Sequence, residues 1–86
     1  MTARIHITLK KGILDAEGKA VLQALNNLGV DKVEEVRVGK VIELNFGHVQ
    51  AQQARELAEQ ACQKLLANPV IEEYEIQLLN DDGGEK

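Results

Sequence analysis

Residues 33–46 constrain the fold of this 86-residue chain more than any other stretch. Two runs of alternating apolar and polar side chains meet there at Gly39, and such alternation is typical of β-strands. The apolar positions are Val36 and Val38 in the first run and Ile42, Leu44 and Phe46 in the second. A three-residue loop or a bulge that starts at Gly39 brings these side chains opposite each other. We therefore expect a β-hairpin here, with Gly39 supplying the backbone angle that the turn needs.

Patterns on both sides of the hairpin predict two more strands and two helices. Residues 3–10 and 71–79 alternate as strands do, and residues 16–28 and 48–67 carry apolar stripes at helical spacing. The order β-α-β-β-α-β indicates an α+β, ferredoxin-like fold, in which two helices cover one face of a four-stranded antiparallel sheet with strand order 4-1-3-2. We expect a single domain over residues 1–79 and a disordered acidic tail over residues 80–86.

Each predicted helix has an apolar stripe that we expect to be buried against the sheet. The stripe residues are Ala20, Val21, Ala24, Leu25 and Leu28 in the first helix, and Ala54, Leu57, Ala58, Ala61 and Leu65 in the second. Leu22 lies off the first stripe and is a candidate contact residue. Asp15 is placed to cap the first helix by accepting hydrogen bonds from backbone N–H groups.

The sheet face opposite the helices is predicted to be polar and uncovered. In the order 4-1-3-2, the basic and polar outer face of the first strand lies between Glu43 with Asn45 on one side and Glu73 with Glu75 on the other, and opposite charges across strands favour that arrangement. A chain this short buries only roughly 60% of its unfolded surface, so self-association would relieve a small core. We expect it to occur through this outer face, whose residues are Arg4, His6, Thr8, Glu43, Glu73 and Glu75.

No catalytic, metal-binding or phosphate-binding pattern is present in the sequence. The chain has two histidines, one cysteine and neither a P-loop nor a G-x-G-x-x-G motif. A single cysteine excludes a C-x-x-C metal-delivery domain, and Cys62 is expected to be a buried, inert thiol. The net charge of −4 and the lack of stacking aromatics argue against a nucleic-acid surface. No apolar run approaches membrane-spanning length, so we expect a cytoplasmic protein without a membrane partner.

Three segments in order carry a family resemblance. They are TLKKGILD (residues 8–15) with GKAV (18–21), VRVGK (36–40) running into IEL (42–44), and LLANPVIE (65–72) with Tyr74. Together they resemble the PurS family, the small subunit of phosphoribosylformylglycinamidine synthase. The resemblance covers nearly the whole chain. Proline often follows the lysine and the aspartate of the first segment in that family, whereas this chain has Lys11 and Ala16 there.

The resemblance implies a non-catalytic subunit of an enzyme of de novo purine synthesis. That enzyme converts formylglycinamide ribonucleotide, ATP and glutamine to the formylglycinamidine, with release of ADP, phosphate and glutamate. A glutaminase subunit makes ammonia, and a large synthetase subunit uses it together with ATP and Mg. The PurS-type subunit is implied to bridge these two, to assist ammonia transfer, to self-associate as a dimer or tetramer, and to bind no cofactor or metal itself.

Motif residues that the core does not need are the candidate contacts with those partners. They are Arg37, Gly39 and Lys40 in the hairpin, and Lys11, Gly12 and Asp15 in the first loop. Turn geometry and helix capping are the alternative explanation for the two glycines and for Asp15. Arg37 and Lys40 have no evident local role, which favours partner contact. The alternative function is a stand-alone, dimeric regulatory domain that senses a small molecule, which would bind a metabolite without any other protein.

Overall fold

The computed structural model describes residues 1–80 as three strands and two helices. The elements are β1 (Thr2–Leu9), α1 (Ala16–Asn27), β2 (Lys40–Asn45), α2 (Ala51–Ala61), which continues as a π-helical turn (Cys62–Leu66), and β3 (Glu72–Leu79). The sequence patterns therefore placed both helices and three of the four expected strands. The acidic tail expected from residue 80 onward lies, apart from Asn80, outside the described residues.

The sheet has β1 at its centre, antiparallel to both neighbours, in the order β2-β1-β3. Arg4 stands opposite Glu43 on one side, and its Nε donates to Glu43 Oε2 at 2.7 Å. On the other side, His6 stands opposite Glu75 and Thr8 opposite Glu73. The basic and polar outer face of β1 thus lies beside glutamates on both sides, as the charge pattern indicates.

The predicted hairpin and fourth strand are wrong for the described chain, since residues 30–39 form no strand there. The Val38 N–H donates instead to Asp15 Oδ2 at 2.8 Å. Gly39 forms no hairpin turn but lies against β1, where a Cβ would sit 2.7 Å from the Ile7 carbonyl oxygen. Alternation of apolar and polar residues shows which side chains share a face, but it does not show which group the backbone N–H and C=O groups will hydrogen-bond with. Here the Asp15 carboxylate accepts the hydrogen bond of the Val38 amide, which in a hairpin would donate to the neighbouring strand.

The core lies between α2 and the inner face of β1 and β3. Ala54, Ala58 and Cys62 are fully buried at four-residue spacing, and their small side chains let the helix approach Ile5 and Ile7 closely. The prediction that Leu57 and Leu65 belong to the buried stripe of the second helix is wrong. Leu57 is 37% exposed and Leu65 is 81% exposed.

The π-helical turn explains the exposure of Leu65. The Ala67 N–H donates to the Cys62 carbonyl at 3.1 Å, a bond that spans five residues instead of four. The extra residue rotates the last turn of the helix, so that Leu66 packs against the core while Leu65 points to solvent. Helical periodicity alone could not show this shift, because it assumes a constant 3.6-residue repeat.

The first helix, α1, departs most from expectation, because it does not pack on the sheet. Gly18 is its only buried residue, and Val21 and Leu28 of the predicted stripe are 40% and 78% exposed. Leu22, expected off the stripe, is half-buried. The radius of gyration is 16.3 Å, whereas a compact domain of this length has about 12 Å. Within residues 1–80, α2 is therefore the only helix that packs on the sheet.

Candidate functional site

All six residues predicted to contact partners fall in two short segments that meet beside the first turn of α1. We call these segments, residues 9–15 after β1 and residues 36–40 leading into β2, the junction. Two open grooves flank it. One has a volume of about 340 Å³ and is lined by residues that include Thr8, Asp15 and Lys40. The other has a volume of about 570 Å³ and runs between Leu14, Leu22 and residue 36.

Asp15 is the centre of the junction, because each of its carboxylate oxygens accepts a backbone hydrogen bond. Oδ1 accepts from the Gly18 N–H at 2.7 Å and caps α1, and Oδ2 accepts from the Val38 N–H at 2.8 Å. These two bonds, with that from Val38 the stronger influence, lower the pKa of Asp15, and the nearby Arg37 charge acts in the same direction. The cap was predicted from the sequence; the bridge to Val38 was not. Asp15 therefore holds the two segments of the junction together.

Arg37 has a local role that the sequence did not reveal. Its Nη2 donates to the Leu9 carbonyl at 2.6 Å, and its Nη1 lies 3.8 Å from Glu35 Oε2. The acceptor is a backbone carbonyl at the end of β1, 28 residues away. Since every residue carries such a carbonyl, no sequence signal could have identified this partner. Arg37 thus ties the second segment of the junction to the first.

The glycines at the junction are explained by backbone geometry. Gly12 has a φ of 88°, a left-handed conformation that side chains with a Cβ rarely adopt. A Cβ at Gly39 would sit 2.7 Å from the Ile7 carbonyl oxygen and 2.9 Å from Thr8 Cγ2. Gly18, which the sequence reasoning missed, is buried against the Val36 carbonyl oxygen, and a Cβ there would overlap it. The sequence signals were its place in the GKAV segment and the presence of a glycine inside a helix, which propensity disfavours.

Lys11 and Lys40 are exposed, and unlike Asp15 and Arg37 their charged groups have no recorded bonding role in the junction. Across residues 1–80 the structure records no hydrogen bond or ion pair for either ammonium group. Lys40 borders the smaller groove together with Asp15 and Glu17. Of the six predicted residues, these two lysines are the ones whose charged side chains remain available to another molecule.

The outer face of the sheet carries the six residues predicted for self-association. Because directly opposed residues share a face, the register places Arg4, His6 and Thr8 beside Glu43, Glu75 and Glu73. Val41, which is 53% exposed, lies on the same face opposite His6. This face is thus polar and mixed in charge, and Val41 is its exposed apolar residue in β2.

The described residues offer little reactive chemistry. Cys62 is fully buried, and this burial, together with the charge of Glu59, raises the pKa of its thiol, so that the thiolate is disfavoured. Within residues 1–80 there is no group of three or more His, Cys, Asp or Glu side chains that could hold a metal ion. No helix in that range is both long enough and apolar enough to cross a bilayer.

Comparison with known sequences identifies the family. The profile of PurS, described as phosphoribosylformylglycinamidine (FGAM) synthase, matches residues 2–80. The chain belongs to the PurS family. The PurS subunit of phosphoribosylformylglycinamidine synthase from Methanocaldococcus jannaschii is 43% identical over 76 residues, which cover 88% of this chain and 92% of that protein. The Bacillus subtilis PurS subunit is 36% identical over 75 residues, covering 87% and 88%.

Solved PurS structures have the same chain fold. The crystal structure of Methanocaldococcus jannaschii PurS, one of the subunits of formylglycinamide ribonucleotide amidotransferase in the purine biosynthetic pathway, matches with a TM-score of 0.81 over 88% of this chain and 92% of that one. A chain in the structure of PurLQS from Thermotoga maritima matches at 30% identity with a TM-score of 0.80, covering 88% and 93%. The family resemblance read from the three sequence segments is therefore confirmed.

Proposed function

We propose that this PurS chain is the non-catalytic subunit that bridges the glutaminase and large synthetase subunits of phosphoribosylformylglycinamidine synthase and assists ammonia transfer between them. Its place as a subunit of that enzyme of purine biosynthesis follows from the family. The observation that carries the bridging role is the match to a chain of the Thermotoga maritima PurLQS structure. The bridging domain comprises residues 1–79 and works in the cytoplasm as a dimer or tetramer.

The chemistry of the chain supports a structural role. Its one thiol is buried, and the one carboxylate of the junction, that of Asp15, accepts two backbone hydrogen bonds. A carboxylate held in this way, with a lowered pKa, is a weak acceptor of a proton from a substrate. We therefore assign ATP, Mg and the ammonia-consuming step to the synthetase subunit, and glutamine hydrolysis to the glutaminase.

We place contact with one of these partners at the junction, and specifically at Lys11 and Lys40. Both ammonium groups are exposed on two segments whose positions Asp15 and Arg37 hold. Two positive charges on a well-positioned surface suit an acidic partner surface, because electrostatic complementarity directs association and selects the partner. Arg37, Gly12, Gly39 and Asp15 then act by positioning the two segments.

Charge reversal at these lysines tests the proposal. We expect Lys11→Glu combined with Lys40→Glu to abolish co-elution of the chain with the other two subunits, and with it glutamine-dependent synthesis, while circular dichroism remains unchanged. Lys64→Glu is the matched control, since Lys64 is an exposed lysine in the π-helical turn, outside the junction. The double variant should therefore fail where the control succeeds. Full co-elution of the double variant would refute the assignment of the contact to Lys11 and Lys40.

The alternative, a stand-alone sensing domain, is less well supported by the described surface. Both grooves at the junction are open rather than enclosed, whereas small-molecule sites bury most of the ligand surface. Isothermal titration of the chain alone with purine precursors and nucleotides separates the two functions. Binding in the absence of partner subunits would favour sensing.

A further inference from the structure

The segment between the second helix and the third strand exposes two large apolar side chains. Leu65 is 81% exposed and Val70 is 75% exposed. Both belong to LLANPVIE (residues 65–72), one of the three segments that carry the family resemblance. We call residues 65–71 the α2–β3 turn. Single exposed apolar side chains are common on protein surfaces, so a role for these two depends on how the chain holds them.

A change of helix geometry turns Leu65 to solvent. The Ala67 N–H donates to the Cys62 carbonyl, which closes the π-helical turn over Cys62–Leu66. Leu66 packs against the core, and Leu65 is left exposed. Single π-helical turns within helices are rare and occur frequently at functional sites. The exposure of Leu65 therefore has a specific structural cause.

Hydrogen bonds to Asn68 fix the backbone around Val70. Asn68 Oδ1 accepts from the Val70 N–H at 3.0 Å, and the Asn68 N–H donates to Glu72 Oε1 at 2.7 Å. The Asn68 carbonyl accepts from the N–H groups of Ile71 and Glu72 at 3.2 and 2.8 Å. A turn bonded in this way has little conformational entropy left to lose when a partner binds. Val70 is thus presented on a preorganised backbone.

The α2–β3 turn is bonded to the junction through Lys10. The Lys10 N–H donates to the Ile71 carbonyl at 2.9 Å, and its Nζ donates to the Pro69 carbonyl at 2.8 Å. Lys11, whose side chain is exposed, follows directly in the same segment of the junction. The surface that carries Val70 therefore continues the surface that carries Lys11.

The register of the sheet places Lys40 at the same end of the molecule. Ile7 stands opposite Lys40 in β2, and Leu9 stands opposite Glu72 in β3. The start of β2 and the start of β3, which directly follows the α2–β3 turn, thus both lie beside the end of β1. The exposed lysines and the exposed apolar side chains share one end of the sheet.

We infer that Leu65 and Val70 are the apolar anchors of the contact for which Lys11 and Lys40 supply the charge. The occupant is the partner subunit that receives these lysines, with an apolar hollow bordered by acidic side chains. Stable interfaces combine an apolar centre with a polar rim. A few anchors carry most of the affinity, whereas rim charges mainly set the association rate. The inference rests on the proposed function for the identity of the partner, and it adds the residues that hold that partner.

The end of the chain itself does not suit these anchors. Residues 81–86 read DDGGEK and contain no apolar side chain larger than glycine. Covering Leu65 and Val70 with this segment would place charged groups on apolar surface, which is unfavourable. An apolar surface on another protein is the better match.

Binding kinetics separate the anchors from the charges. The full chain is immobilised, and the purified glutaminase and synthetase subunits are passed over it separately and together, with Mg-ADP and glutamine present. We expect Leu65→Ala combined with Val70→Ala to raise the Kd at least about tenfold through faster dissociation, with the salt dependence of association unchanged. Lys11→Ala combined with Lys40→Ala should instead slow association to the same subunit and weaken its salt dependence.

Matched variants control for folding and for non-specific effects. Val41→Ala makes the same substitution at another exposed valine, on the outer face of the sheet, and should bind as the wild type does. Lys64→Glu, which changes a charge next to Leu65, should also bind normally, because the contact made there is apolar. Circular dichroism and light scattering of the apolar double variant alone should match those of the wild type, since both side chains are exposed.

The outcomes distinguish this inference from the proposed function. If the wild-type chain binds and the apolar double variant dissociates at the wild-type rate, the inference alone is refuted. It is also refuted if the apolar and lysine variants weaken binding to different subunits, or if the apolar variant changes the mass of the chain alone, which would assign the two residues to a contact between copies. Failure of the wild-type chain to bind either subunit would refute the proposed function, and the inference with it.

Discussion

Replacement of Gly18 by alanine sets two effects of known size against each other. Gly18 lies in the first turn of α1, where alanine is favoured over glycine by about 1 kcal/mol on helix propensity alone. In this chain, however, the added Cβ would overlap the Val36 carbonyl oxygen and would sit 2.8 Å from Asp15 Oδ2. Neither group is the flexible end of a long side chain. The junction must therefore move to accommodate the methyl group.

We expect the destabilisation from this steric overlap to exceed the stabilisation from helix propensity. Inserting a methyl group into a tightly packed site costs typically about 1–3 kcal/mol, and a clash with backbone belongs to the upper part of that range. After the gain in helix propensity, the expected net loss is about 1–2 kcal/mol. In a domain of this length, each 1 kcal/mol lowers the melting temperature by about 4–8 °C, so we expect a fall of about 4–16 °C.

Thermal unfolding followed by circular dichroism measures this loss. All variants are compared at one protein concentration, because the melting temperature of an oligomer depends on it. Gln23→Ala, at an exposed position of the same helix, is the control for propensity and should change stability by no more than about 0.5 kcal/mol. A melting temperature of Gly18→Ala equal to or above that of the wild type would show that the junction does not need glycine, and the reasoning would be refuted.

Two pH-dependent properties follow from the titratable groups. The lowered pKa of Asp15 means that its contribution to stability is present above its ordinary pKa of 3.8 and is lost as the pH falls through the lower, folded-state value. The amide proton shifts of Gly18 and Val38 should report this with a midpoint below 3.8, Asp15→Asn should remove it, and a midpoint at or above 3.8 would contradict it. The raised pKa of Cys62 implies stability that falls as the pH rises above 9.0 and a thiol that reacts with Ellman's reagent only on unfolding. Rapid labelling of the native chain would contradict this second expectation.

Local patterns were sufficient to predict three strands and both helices, and in β1 and β3 the side chains that face inward. Alternation identified Ile5 and Ile7 as buried and Tyr74, Ile76 and Leu78 as facing the core. The charges on the outer face agree with the expected neighbours of β1, because Arg4 stands opposite Glu43 and His6 opposite Glu75. Three motif segments in order identified the family. Each of these properties depends on residues close in sequence, or on a pattern repeated along one element.

Only the tertiary structure decided where α1 and residues 30–39 go. An apolar stripe shows that a helix must be covered, but it does not name the surface that covers it or the chain to which that surface belongs. The second oxygen of Asp15 and the guanidinium of Arg37 bond to backbone groups 23 and 28 residues away. Because such backbone groups occur along the whole chain, the sequence does not indicate which of them bonds to Asp15 or to Arg37. That choice is made by the packing of the whole chain.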